Sequence, residues 1–272
     1  MNPGERLALE AHLKALRLPS VKREYEKTAQ DALTEGISHE GYLLRLLSQE
    51  IADREQRAFA KRLAMARLPS RKTLADFDFA VMPKLDPRRV HRLAGCEFVD
   101  KKENVLLIGS SGTGKTHLAT AIAVEACRRK LDVRFFTVSG LVETLLEARS
   151  ERTLGRLRSA LRKVPLLVLD ELGFVPLPAS GAELLFEIVS DRYERGSLVL
   201  TTNLPFEEWI AVLASEPLTH AMLDRLTHHV HILEMNGHSY RLSQSLATKA
   251  RPPDLKDSGR DAPSVLQIPT NP

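Results

Sequence analysis

Apolar positions change their period along this chain, and the change divides it. Over about the first 70 residues they recur at helical spacing. Leu7, Leu9, Leu13 and Leu16 form a stripe that ends at Leu18-Pro19-Ser20. A second helix runs from Val21 to about Ala32 with Gly36 as its terminator. Tyr42, Leu43, Leu46, Leu47 and Ile51 then open a longer helix reaching about Arg67. Pro69 and Ser70 mark a junction. From Asn104 the pattern alternates: VLLI, VRFF, PLLVLD and SLVLTTN read as strands, each followed by a helical segment. Short apolar runs separated by helices indicate a parallel sheet covered on both faces. His229–Leu233 reads as an edge strand and Ser239–Ala250 as a last helix. The expected organisation is therefore an all-helical N-terminal domain over 1–70, an α/β domain over 71–250, and a tail over 251–272. That tail holds five prolines and no apolar period, so it is expected to be disordered.

Composition adds constraints. Hydrophobic residues make up 43% of the chain and charged residues 27%, the balance of a soluble protein with a core. The net charge is +4, and residues 1–72 alone carry 14 Lys and Arg against 10 Asp and Glu. This permits a nucleic-acid partner without requiring one. The N-terminal stretch is charged throughout, unlike a signal peptide, and no apolar run approaches the roughly 18 residues of a membrane span. Cys96 and Cys127 form no metal-ligand pattern and read as reduced, packed thiols. A cytoplasmic protein is expected.

The chemistry is concentrated in Gly109-Ser-Ser-Gly-Thr-Gly-Lys115-Thr116, which fits the G-x-x-x-x-G-K-[ST] phosphate-binding loop. Gly109, Gly112 and Gly114 allow backbone conformations and approaches that a Cβ would obstruct. Loop N–H groups and the following helix N-terminus then face an anion. The candidate ATP-binding residues are thus Gly109, Ser110, Ser111, Gly112, Thr113, Gly114, Lys115 and Thr116, with His117 behind them. Lys115 would reach the β- and γ-phosphates, and the Thr116 hydroxyl would ligate Mg²⁺. The setting, a strand before and a helix after, fits the motif.

Downstream, Leu166–Asp170 is an apolar strand delivering a carboxylate at its end. Asp170 can hold the Mg²⁺ hydration shell, and Glu171 beside it can polarise an attacking water. Asn203 follows the strand SLVLTT, where a polar tip beside the loop can hydrogen-bond the γ-phosphate or that water. Lys115, Glu171 and Asn203 are the catalytic candidates within one chain. Taken singly, Glu171 also reads as a solvated carboxylate and Asn203 as a turn residue.

Together these residues resemble the AAA+ ATPases, P-loop NTPases of the ASCE type, and within them the IstB/DnaC-like branch. The resemblance is carried by GSSGTGKTHLA, LLVLDELG, TTNLPFEEW, AMLDRL and GHSYR, and covers roughly residues 75–250. The N-terminal helices look like the small helical domain of the IstB group. By this likeness Arg225 matches the arginine finger that completes a neighbouring subunit's ATP site. Arg241 likewise matches the sensor-2 arginine. Phe77 and Phe79 fall where the family frames adenine, although loop aromatics also serve as core plugs.

The resemblance implies ATP hydrolysis with Mg²⁺, a homo-oligomer with shared sites, and double-stranded DNA as a partner. It implies assistance to the transposase of the same insertion element. The alternatives are a loader of a replicative helicase, or a nucleotide-binding module without significant hydrolysis. Arg149, Arg152, Arg156, Arg158, Arg162 and Lys163 crowd the segment after the second strand. In initiator-type AAA+ proteins an extra helix there faces DNA, and basic residues could track phosphates without reading bases. A solvated helix face is the plainer reading. Lys22, Arg23, Lys61, Arg62 and Arg67 offer a second surface for DNA or protein.

Overall fold

The computed structural model describes residues 2–237. Arg241, the expected helix at Ser239–Ala250 and the tail after it lie outside the described residues. Three helices open the chain: α1 (Pro3–Ala15), α2 (Pro19–Glu35) and α3 (His39–Ala66). Asn2 and Glu5 close a capping box on α1, while Pro19 occupies the first turn of α2, where a missing N–H costs nothing. Helix α2 therefore starts before the expected Val21, and it ends on Gly36 in the left-handed region, as expected.

Leu13, Val21, Tyr25 and Leu46 form a small core of their own among these helices. The far half of α3 turns to a different partner. Phe59, Leu63 and Ala66 pack into the core beneath the sheet. By contrast, Leu43, Leu44, Leu47 and Ile51 near the start of α3 remain exposed.

Two single turns at Leu74–Asp76 and Phe79–Val81 lead to α4 (Pro87–Ala94) and α5 (Glu97–Asp100). The α/β unit then runs β1 (Asn104–Ile108), α6 (Lys115–Arg128), β2 (Val133–Thr137), α7 (Val138–Ser150), α8 (Leu154–Arg162) and β3 (Leu166–Leu172). It continues through α9 (Ala179–Arg192), β4 (Ser197–Thr202), α10 (Trp209–Leu213), α11 (Glu216–Thr227) and β5 (Val230–Glu234). The strands lie in the order β2-β3-β4-β1-β5, all parallel, with β5 at an edge.

Strand side chains alternate between two cores, as the period of two requires. Val105, Leu107, Leu166, Val168 and Val199 face α6. Leu106, Leu167, Leu169, Leu198 and Leu200 face α7, α9, α10 and α11. Burial on both faces is why these strands are continuous apolar runs rather than alternating ones. Cys96 and Cys127 are free and buried, and burial pushes each thiol up to about 11. No helix among the described residues is long and apolar enough to cross a membrane.

Candidate nucleotide-binding site

Ligands gather at the C-terminal edge of such a sheet where strand order reverses. Here β1 is flanked by β4 and β5, and the loop 109–114 leaves its C-terminal end. Gly109 N donates to Thr202 O at 3.2 Å, and Met235 N donates to Ile108 O at 2.7 Å, so both neighbouring strands grip the loop's start. A side chain at Gly109 would bring its Cβ to 2.1 Å from Met235 O. Gly114 has φ +90°, and its Cβ would meet the Phe77 ring at 3.0 Å. Helix α6 begins immediately afterwards, so the backbone donors of its first turn open into the loop.

Within the loop, the Thr113 hydroxyl donates to Ser110 O at 2.9 Å. Lys115 Nζ donates to Gly109 O and Ser110 O at 2.6 and 2.7 Å, which folds its charge over the cradle. Ser110 and Ser111 are exposed. The loop is braced from behind. His117 Nε2 lies 2.9 Å from Thr73 O, and the Phe77 ring meets His117 edge-on at 5.2 Å. Phe77 is only 8% exposed and belongs to the core, and Phe79 packs edge-on against it. The structure thus shows Phe77 plugging the space behind the loop.

Asp170 ends the run of buried residues in β3 and lies beside the loop. Its Oδ1 accepts from the Thr116 hydroxyl at 3.1 Å and from the Thr201 hydroxyl at 2.5 Å. The same Thr201 oxygen accepts from Glu171 N at 2.9 Å. The β3–β4 register shifts between Leu169 and Leu172, and Glu171 adopts φ +65°. Such a bulge breaks the inside–outside alternation, so Glu171 is exposed while Asp170 and Leu172 are buried. Left-handed backbone at a non-glycine residue costs on the order of 1–3 kcal/mol and concentrates at functional sites. Asn203 is exposed at the next strand tip, with its Oδ1 turned toward Gly173 after β3. Thr116, Asp170, Glu171 and Asn203 therefore share one edge of the sheet with the loop.

This geometry fits a metal-bound nucleoside triphosphate. A hydroxyl and a carboxylate meet at the loop's exit, the oxygen donor set that Mg²⁺ takes alongside substrate phosphates. A family model described as IstB-like ATP binding protein matches residues 11–248. The chain belongs to this family. A relative from Geobacillus stearothermophilus, named as an ATP-binding protein of insertion sequence IS5376, is 39% identical over 232 residues. That alignment spans 84% of this chain and 91% of the relative. A second, named for insertion sequence IS21 of Pseudomonas aeruginosa, is 38% identical over 236 residues, spanning 87% and 89%. Among solved structures, AMPPCP-bound DnaA from Aquifex aeolicus superposes with a TM-score of 0.54 at 22% identity, covering 70% of this chain and 58% of that one. DnaI gives 0.51 at 24% identity, covering 61% and 91%. The IstB-like chain is thus an AAA+ P-loop ATP-binding protein in fold, as the motifs led us to expect.

Arg225 stands apart from the loop. It lies near the end of α11, where Leu226 O accepts from Asn104 Nδ2 at 3.1 Å, at the start of β1. The loop leaves the other end of that strand, so a five-residue strand separates them, about 13 Å at the usual rise per residue. The guanidinium sits 4.6 Å from the Phe186 ring centroid and donates to Ala221 O at 2.9 Å.

The basic cluster divides. Arg158 pairs with Glu187 and Asp191 of α9, and Arg162 with Asp191 at 2.9 Å, so these two staple α8 to α9. Arg149, Arg152, Arg156 and Lys163 are exposed. In the N-terminal helices Lys22, Arg23 and Arg62 also have acidic partners, Glu10, Asp53 and Asp132. Lys61 and Arg67 are exposed. Sequence reasoning missed Thr201, whose hydroxyl links Asp170 to the Glu171 backbone. Its signal was a polar residue at the end of a buried strand.

Proposed function

We propose that this IstB-like protein hydrolyses ATP at sites shared between copies of the chain. In this reading Thr116 and Asp170 hold Mg²⁺, Lys115 binds the phosphates, Glu171 polarises the water and Asn203 senses the γ-phosphate. The observation that carries it is the division of the machinery. The loop, Asp170 and Glu171 occupy one edge of the sheet, and Arg225 the other. An arginine so placed cannot serve its own loop, but a neighbour's γ-phosphate is open to it. There it would neutralise charge developing in the transition state.

The shared site would make assembly depend on nucleotide, because ATP supplies a contact that hydrolysis removes. Relatives named for insertion sequences support a cytoplasmic role in DNA transposition, with double-stranded DNA and the element's transposase as partners. Exposed Arg149, Arg152, Arg156 and Lys163 suit phosphate contacts, and the exposed leucines of α3 suit a protein partner.

Turnover of wild type and Glu171→Gln in the presence of duplex DNA tests the enzyme reading. We expect the variant to bind ATP and lose hydrolysis; equal turnover in both would remove Glu171 from the mechanism. Capture of the element's transposase, rather than a replicative helicase, tests the partner. Selective capture of helicase would overturn the transposition role.

A further inference from the structure

We infer that Phe186, on α9, is the positioning residue that aims Arg225 at a neighbouring copy's nucleotide. The inference rests on the shared-site reading above. Arg225 is half-buried, yet among the described residues no carboxylate pairs with it. Its guanidinium lies 4.6 Å from the centroid of the Phe186 ring and donates to Ala221 O. A cation over an aromatic face is attracted by the ring quadrupole without being neutralised. A carboxylate partner would fix the guanidinium equally well, but it would cancel the charge that a phosphate requires. Of a guanidinium's five N–H donors, the contact to Ala221 O uses one, which leaves others for an incoming anion.

The platform itself is rigid. Phe186 packs partly buried against the core shared by α7, α9 and α11. On either side of it along α9, Leu184, Leu185 and Ile188 are buried. The next residue, Glu187, and Asp191 one turn further on are tied to α8 by Arg158 and Arg162. Arg192, at the end of α9, donates to the carbonyls of Leu161, Pro165 and Ser197 at 2.9, 3.1 and 2.8 Å. The helix beneath Arg225 is thereby pinned to α8 and to the starts of two strands. A ring on such a helix has a fixed position, and so does the cation on it.

The test compares Phe186→Leu, which keeps apolar filling without a π face, with Phe186→Tyr, which keeps both. Steady-state ATP hydrolysis on duplex DNA is measured for each, with Arg225→Ala as the control. We expect Phe186→Leu to lower kcat by roughly two- to thirtyfold, the range a cation–π contact spans, while KM stays near wild type. Phe186→Tyr should restore kcat. If the Leu and Tyr variants behave alike, or if KM rises with kcat unchanged, the positioning role is overturned. If Arg225→Ala itself hydrolyses normally, the shared-site reading fails instead, whatever the Phe186 variants do.

Discussion

The Thr201 hydroxyl donates to Asp170 at 2.5 Å and accepts from the backbone of Glu171 at 2.9 Å. One side chain thus fixes the carboxylate assigned to Mg²⁺ and holds the left-handed peptide that aims the candidate base. Removing it should leave the loop intact. Thr201→Val keeps the β-branched shape but deletes both hydrogen bonds. We expect ATP binding to persist and turnover to fall roughly 10- to 100-fold, the usual cost of losing a group that orients a metal ligand. A variant with normal kcat would show that Glu171 needs no such anchor.

The separation of Arg225 from its own loop makes a complementation experiment decisive. Lys115→Ala should not bind nucleotide, and Arg225→Ala should bind it without turning it over. Mixed together, the Lys115 variant supplies an intact arginine and the Arg225 variant an intact loop. Turnover in the mixture should therefore exceed that of either variant alone. No recovery, with mixed oligomers verified by size, would argue against a site built in trans.

Salt dependence should separate the two halves of the basic cluster. Each phosphate contact contributes about 0.9 to the slope of log K against log salt on duplex DNA. Replacing exposed Arg149, Arg152 and Arg156 by Ala should weaken DNA binding and flatten that slope. Arg158→Ala should leave the slope unchanged but loosen α8, since its partners are Glu187 and Asp191. A loss of roughly 1 kcal/mol is reasonable for such a half-exposed pair. The opposite pattern would move the DNA surface onto the staple.

What was legible in the chain follows from how each residue is constrained. Strands buried on both faces must be unbroken apolar runs, so VLLI and LLVLD announced the sheet. The loop must carry glycines because Met235, just after β5, and Phe77 press against it, so its spacing was equally plain. Residues acting across elements were not legible. Arg158 and Arg162 read as free charge because their acids lie about thirty positions later on α9. Phe186 carries no motif of its own, and its position beneath Arg225 depends on how α9 and α11 pack. The second half of α3 looked like part of a separate helical domain, since helical period alone cannot say which core a stripe will join.

Glu50 supplies a pH-dependent anchor within the N-terminal helices. It is 2% exposed, and its carboxylate accepts from Ser20 N at 2.8 Å and Val21 N at 3.4 Å, at the first turn of α2. Arg54 and Arg57 approach its other oxygen. Burial alone would raise this carboxyl, but the two backbone donors and the two guanidinium groups outweigh it and hold the group below its ordinary value of 4.5. The sign follows directly. A carboxyl depressed in the folded state contributes stability above pH 4.5, and that contribution fades as pH falls through the lowered value. Hydrogen exchange at the Ser20 and Val21 amides should therefore quicken on acidification relative to amides of β1. Glu50→Ala should release α2 at neutral pH, at a cost of about 2 kcal/mol, because it takes a charged acceptor away from the Ser20 and Val21 amides. It should also remove the acid dependence. Equal protection of these amides in wild type and variant would show that α2 is held by its apolar contacts alone.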